Sequence, residues 1–393
     1  MKLQRSVFLG VALCLTVAGC ANGGTRSSDT TGPIKLMQIA PYESQVVSLP
    51  FMETAAQAAV DEINDAGGVQ GRRLELLTCN EKTDANEAMR CAQKAAQENV
   101  TAVVGSLTSV GAQMMPILEK AEIASIGPNA ITPADAKSPS NFLFDAGVPG
   151  YAAMPFVAKD RIGADTVVSI HIENPAAPTN QLFFDQGADL AGVRIAENIV
   201  VPTDAIDFTQ YVARAEAAGA QAIVSSLPPE ANLKLWNALG SSGSGIKVVA
   251  SAGSVSPSVI QEAGSSANGS YVVAGTPNAD AGNPHGEAFL AAMRKHQPDE
   301  TVFAGVSLRA YESVHLFADV ASTIDGPIDA ASVLNAFNSV EDMQFAWVDS
   351  LSFTQPGPIA DLPRVVSAVT FPSEIVDGAL ISGEPFDPFE SSK

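Results

Sequence analysis

DEINDAGGVQGRRLEL, Asp61 to Leu76, is the stretch whose reading decides the fold of this 393-residue chain. Upstream, Met52, Ala56, Ala59, Val60 and Ile63 recur at helical spacing and paint one apolar stripe, so Asp61 to Asp65 reads as the end of an amphipathic helix. Gly67 and Gly68 supply the left-handed conformation that closes a helix, and Gly71 permits a second turn. Arg73 to Cys79 then returns as a strand. Outward from this unit the alternation continues. Ile34 to Ala40 is an apolar run suited to a buried parallel strand. Asp84 with Glu87 three residues on is a capping-box-like start for a helix whose inner face holds Ala88, Cys91, Ala92 and Ala95. Thr101 to Ser106 is a third strand, Gln113 to Lys120 a helix bent or started near Pro116, and Ala124 to Gly127 a fourth strand.

The pattern then repeats. Ala102 to Leu107 (AVVGSL) has a counterpart in Ala222 to Leu227 (AIVSSL), each between two amphipathic helices. Two similar α/β lobes fit this repeat, and a length well above 300 residues, better than one large sheet. Thr166 to Ile172, Ile223 to Leu227, Val248 to Ser251 and Tyr271 to Gly275 are expected as strands of the second lobe. Gly286 to His296 and Val306 to Ser322 are expected as helices returning to the first. The serine- and glycine-rich run at 241–245 reads as a flexible turn.

The first twenty residues carry an address. Lys2 and Arg5 precede an apolar stretch, Val7 to Val17, too short to span a bilayer comfortably, and small residues lead to Cys20. This resembles a bacterial lipoprotein signal, which implies removal of residues 1–19, lipidation of Cys20, and an exported chain anchored to the cell membrane by lipid; an ordinary secretory signal is the alternative. Residues 20–33 read as a flexible tether reaching roughly 45 Å at about 3.5 Å per residue. With 22 basic and 43 acidic residues the formal net charge is -21, which argues against nucleic acid and anionic membrane surfaces as partners. Of the four cysteines, Cys14 leaves with the signal and Cys20 carries lipid. Cys79 and Cys91 remain as an even pair in an oxidising compartment, either a disulfide, the expected state, or two buried thiols.

The segment Asp61 to Leu76, with the helix to Ala96 and the strand AVVGS, resembles periplasmic binding proteins of the leucine/isoleucine/valine type; its signature residues are Asn64, Ala66, Gly67, Gly68, Val69, Gly71 and Arg72, and Tyr311-Glu312 stands in the expected late helix. The resemblance implies two Rossmann-like lobes joined by a three-strand hinge, with a ligand cleft between them. It divides the body into 34–147 with 277–345, and 148–276 with 346–393. It further implies a monomeric receptor that delivers a small solute to the permease of an ABC importer, without cofactor or metal. In such sheets ligands sit beyond the carboxyl ends of strands, where helix N-termini favour anions. Leu107, Thr108 and Ser109 follow one such strand; Asn129, Ala130, Ile131 and Thr132 follow another. Both match the family's carboxylate-binding segments. Thr132-Pro133 is equally a plain helix start. Tyr42 and Phe51 border the mouth as apolar walls or as ordinary packing.

The departures bear on the ligand. An acid that would pair with a ligand ammonium is expected after Val248 to Ser251, yet Ala252, Gly253 and Ser254 stand there. Leu227-Pro228-Pro229 replaces an expected tyrosine, and Asn174 to Asn180 lacks a tyrosine-glycine pair. Glu173 or Glu230 are substitutes or surface acids. A branched-chain amino acid and a small apolar or aromatic carboxylate both remain open. The histidines, His171, His285, His296 and His315, have no metal-ligand spacing, and nucleophile-elbow and phosphate-loop motifs are absent, which argues against an enzyme. A ligand-sensing receptor is the competing function.

Overall fold

The computed structural model describes residues 32–44, 48–129, 131–174, 176–279, 282–300, 305–359 and 361–389. The lipoprotein-like signal, Cys20 and Ala130 lie outside them. The first lobe is built from β1 (Ile34–Ala40), α1 (Phe51–Asp65), β2 (Leu74–Asn80), α2 (Ala85–Gln97), β3 (Ala102–Val104), α3 (Gly111–Lys120), β4 (Ala124–Ile126), α4 (Pro133–Lys137) and β5 (Asn141–Phe142). Its sheet is parallel, in the order β2-β1-β3-β4-β5.

Local chemistry explains these boundaries. Gly68 has φ +74°, and a Cβ there would collide with the carbonyl of Arg72, so only glycine fits this turn. The Asp84 carboxylate accepts from the amides of Asn86 and Glu87 and starts α2. That helix buries Ala88, Cys91, Ala92 and Ala95, with Cys91 disulfide-bonded to Cys79 at a Cα–Cα distance of 5.6 Å. Alternate residues of β1 point to opposite faces. Ile34 and Leu36 join the core against α1, whereas Met37 and Ile39 pack against α2 and α3.

The second lobe contains α5 (Ala153–Val157), β6 (Thr166–Ile172), α6 (Ala177–Ala191), β7 (Arg194–Val201), α7 (Thr209–Ala217), β8 (Ala222–Ser226), α8 (Pro229–Ser242), β9 (Lys247–Ser251), α9 (Pro257–Ala263) and β10 (Tyr271–Ala274). Next, α10 (Pro284–His296), α11 (Gly305–Ala321), α12 (Ala330–Asn338), β11 (Met343–Phe345) and β12 (Val348–Leu351) pack on the first lobe. The chain ends with β13 (Phe371–Val376) and β14 (Ala379–Ser382), which add to the second sheet antiparallel, giving the order β14-β13-β10-β9-β8-β6-β7. The repeated segments of the sequence become β3 and β8, which hold equivalent places in the two sheets.

Three crossings join the lobes, after β5, after β10 and beyond Phe353. The boundary expected at 345/346 therefore moves. Val348, Leu351 and Phe353 are buried in the first lobe's core, with Phe353 edge-on to Phe142 at 5.1 Å between ring centroids. A small apolar cluster of Leu143, Val148, Phe183, Leu362, Val365 and Ala368 knits the crossings together.

Candidate functional site

The first two crossings leave from the carboxyl ends of β5 and β10, so these edges of both sheets lie at the hinge. Each sheet has a point where successive connections diverge to opposite sides, between β1 and β3 in one lobe and β6 and β8 in the other. Such switch points open the crevices in which α/β proteins bind ligands.

In the first lobe the two segments singled out in the sequence lie side by side. Leu107 forms a parallel bridge to Asn129, whose amide donates to the Ser106 carbonyl at 2.8 Å. The Ser106 hydroxyl accepts from the Ile39 amide at 3.0 Å and ties both to β1. The floor is set by α11. A Cβ on Gly127, at φ +60°, would strike the Ser313 side chain, and the Ser313 hydroxyl donates to the Gly127 carbonyl at 3.2 Å. Thr108 is buried; its hydroxyl donates to Glu81 at 3.1 Å and accepts from the Val110 amide at 3.1 Å. Burial raises the pKa of Glu81. Ser109 is exposed, and α3 begins just beyond it on Val110, which supplies no side-chain cap.

The second segment has an acid of its own. Asp135 is 2 % exposed, and its Oδ2 accepts from the Thr132 amide and hydroxyl, both at 2.8 Å, and from the Ile131 amide at 3.3 Å. Thr132 caps α4 with proline at N1, so the helix-start reading of Thr132-Pro133 describes its geometry. Burial outweighs these bonds and pushes the Asp135 carboxyl up to about 6. The half-buried Tyr42 turns its hydroxyl back onto Gln38, 2.8 Å from Oε1, and burial raises its pKa further. Phe51 opens α1 and, like Tyr42, packs on the first lobe's core.

The buried polar side chains at the second lobe's edge are uncharged. His171 is in register with Ser226, on the same sheet face. The Ser226 hydroxyl accepts from Asn180 at 3.1 Å. Ser251 bonds Ser254 at 2.8 Å and also Tyr151, which stacks on Phe184. These residues escaped the sequence reading. The one available signal was that His171 ends a strand beside the repeated AIVSSL motif. After β9, where an acid was sought, Ala252–Ser254 forms a short 3-10 turn, while Glu173 and Glu230 are exposed.

Behind the cleft, Arg309 of α11 is 1 % exposed and lies 3.6 Å from Asp145 on the first crossing; burial lowers the arginine's pKa and raises the aspartate's. Tyr311 and Glu312 are buried and bond Glu62 and His285 respectively. A surface groove of about 670 Å³ lies at the opposite, amino end of β1 and β2, against Pro33, Asp61 and Arg72. Among the described residues no helix is long and apolar enough to cross a membrane.

Two α/β lobes joined by three crossings, each sheet with a switch point at its carboxyl edge, define the class of hinged solute-binding proteins. The chain belongs to the periplasmic binding proteins: that family's model matches residues 43–356. It is 25% identical over 312 residues to the leucine-, isoleucine-, valine-, threonine-, and alanine-binding protein of Pseudomonas aeruginosa, covering 77% of this chain and 81% of that one. The structure is similar to the branched-chain amino acid transporter substrate binding protein LivJ of Streptococcus pneumoniae in complex with isoleucine, with TM-score 0.72 and 20% identity over 91% of this chain and 100% of that one. It is also similar to a fatty acid ABC transporter substrate-binding protein from Thermomonospora curvata, with TM-score 0.77 and 18% identity over 92% and 95% of the two chains. The family is one of non-enzymatic substrate-binding proteins that work outside the cytoplasm.

Proposed function

We propose that this chain is the lipid-anchored receptor of an ABC importer and that it binds a small carboxylate-bearing solute by hinge closure before delivery to the permease. The observation that carries this reading is the Leu107–Asn129 bridge, which seats Ser109 and the uncapped start of α3 at the first lobe's switch point. A helix N-terminus favours an anion, and a serine hydroxyl beside it adds a donor. Asn129 and Thr132 border the same position, with the Thr132 donors shared with Asp135, and Ala130 is proposed with them from the sequence alone. The names of the relatives support the transport role, and the Cys20 signal supports the anchor. A single polypeptide contains both faces of the cleft, so the receptor is proposed to act as a monomer.

Thermal shift with branched-chain amino acids, their keto acids and aromatic carboxylates tests the ligand class, because specific binding raises the melting temperature by mass action. At least one carboxylate is expected to stabilise the protein and to lose that effect in Ser109→Ala. Indifference to the whole panel would refute the carboxylate reading. For the anchor, Cys20→Ala should move the protein out of the membrane fraction, and persistent lipid labelling of the variant would count against it.

A further inference from the structure

Around the end of β8 the second lobe holds two buried polar atoms without partners. His171 is 2 % exposed, and its Nδ1 makes no hydrogen bond; Asn232, wholly buried on the first turn of α8, leaves Nδ2 unpaired while its Oδ1 accepts from Ser225 at 2.9 Å. Buried polar groups are nearly always satisfied, and an orphan at the carboxyl edge of a sheet is open to a bond from a ligand atom. His171 stands at the switch point between β6 and β8. Its register partner Ser226 and the neighbouring Asn180 continue the same polar strip toward the cleft.

We propose that His171 is the second lobe's ligand contact and that it reads an uncharged oxygen, a ketone carbonyl, where an amino acid would place its ammonium. The inference rests on the carboxylate reading above and names the other end of the same solute. Two features favour it. The buried polar side chains around His171 are hydroxyls, amides and the imidazole itself, and among the described residues no acid is buried with them. An ammonium taken out of water needs a carboxylate to offset its desolvation, whereas a carbonyl needs one N–H donor, which the His171 ring supplies in the Nδ1-protonated tautomer. Burial lowers the His171 pKa, which keeps the ring neutral in this role.

The experiment measures affinity by calorimetry for leucine and for its keto-acid counterpart α-ketoisocaproate, using the full chain as its host cell processes it. The two probes share a skeleton and a carboxylate and differ only at the atom in question. The keto acid is expected to bind about tenfold or more tightly than leucine, in line with the net worth of one hydrogen bond. His171→Leu should remove that preference. His171→Asn, which keeps a donor near the Nδ1 position, should retain most of it and guards against a fold defect in the leucine variant. Tighter binding of leucine overturns this inference and leaves the carboxylate reading standing. Equal affinity of all three proteins for the keto acid also overturns it, since His171 would then not be the contact. Binding of neither probe counts against both this inference and the reading beneath it.

Discussion

Between about pH 4 and pH 7 the first lobe should lose stability through one buried carboxyl, that of Asp135. In an unfolded chain this group ionises near 3.8; in the fold, burial outweighs three accepted hydrogen bonds and holds it at about 6. Between those values the unfolded chain has released the proton and the folded chain keeps it. The folded state therefore binds more protons, and stability falls as pH rises. The contribution is fully present below 3.8 and is lost on passing about 6. At 1.36 kcal/mol per pH unit the loss is ~3 kcal/mol. Urea unfolding of wild type and Asp135→Asn across this range isolates it. Asparagine keeps an acceptor for the Ile131 and Thr132 amides and does not titrate. The variant should match wild type near pH 4 and exceed it by ~2–3 kcal/mol at pH 7. Parallel pH profiles for the two proteins would refute the reasoning, because the slope would then come from other groups.

The Cys79–Cys91 bridge closes a loop of sequence separation 12, for which chain entropy predicts a stabilisation of ~3 kcal/mol. Comparing urea midpoints with and without reductant checks it, and two free thiols in unreduced, unfolded protein would remove the premise. Arg309→Leu should cost about 3–5 kcal/mol, because it strands the buried Asp145 carboxyl, while Arg309→Leu with Asp145→Leu should recover most of the loss. Equal destabilisation by the single and double variants in chemical unfolding would show that packing, not charge, dominates there. Gly68→Ala forces a Cβ into the Arg72 carbonyl at φ +74° and should destabilise by ~2 kcal/mol or more, so an unchanged unfolding midpoint would contradict the close approach.

Much of the scaffold was legible because its signals are local. Strand β1 runs Ile34–Ala40 as its apolar run indicates, α2 buries the four residues its spacing selects, and AVVGSL and AIVSSL became equivalent strands. The weaker elements were not read. β5 is two residues long, β7 is an edge strand with a mostly part-exposed pattern, and β13 and β14 depend on antiparallel partners distant in sequence. The third crossing was misplaced for the same reason. Phe353 belongs to the first lobe by its contact with Phe142, and nothing near residue 346 announces it.

The site divides along the same line. Loops at strand ends can be found from sequence because strands and helix starts can, and Leu107 and Asn129 lie side by side in a parallel bridge. What each donor is free to do is a tertiary fact. Thr108 and Thr132 look alike as hydroxyl donors, yet Glu81 and Asp135 already engage them, and only Ser109 stands exposed at the uncapped start of α3. The first lobe keeps two internal carboxyls beside the edge proposed to hold the ligand's carboxylate, whereas the buried polar side chains at the second lobe's edge are hydroxyls, amides and an imidazole. On the proposed reading, the solute presents its negative charge to Ser109 and the α3 terminus, and a group that accepts rather than donates to the facing lobe. Closure would then gain a hydrogen bond at His171 without burying a second charge, the cheaper way for a hinge to recognise the far end of its ligand.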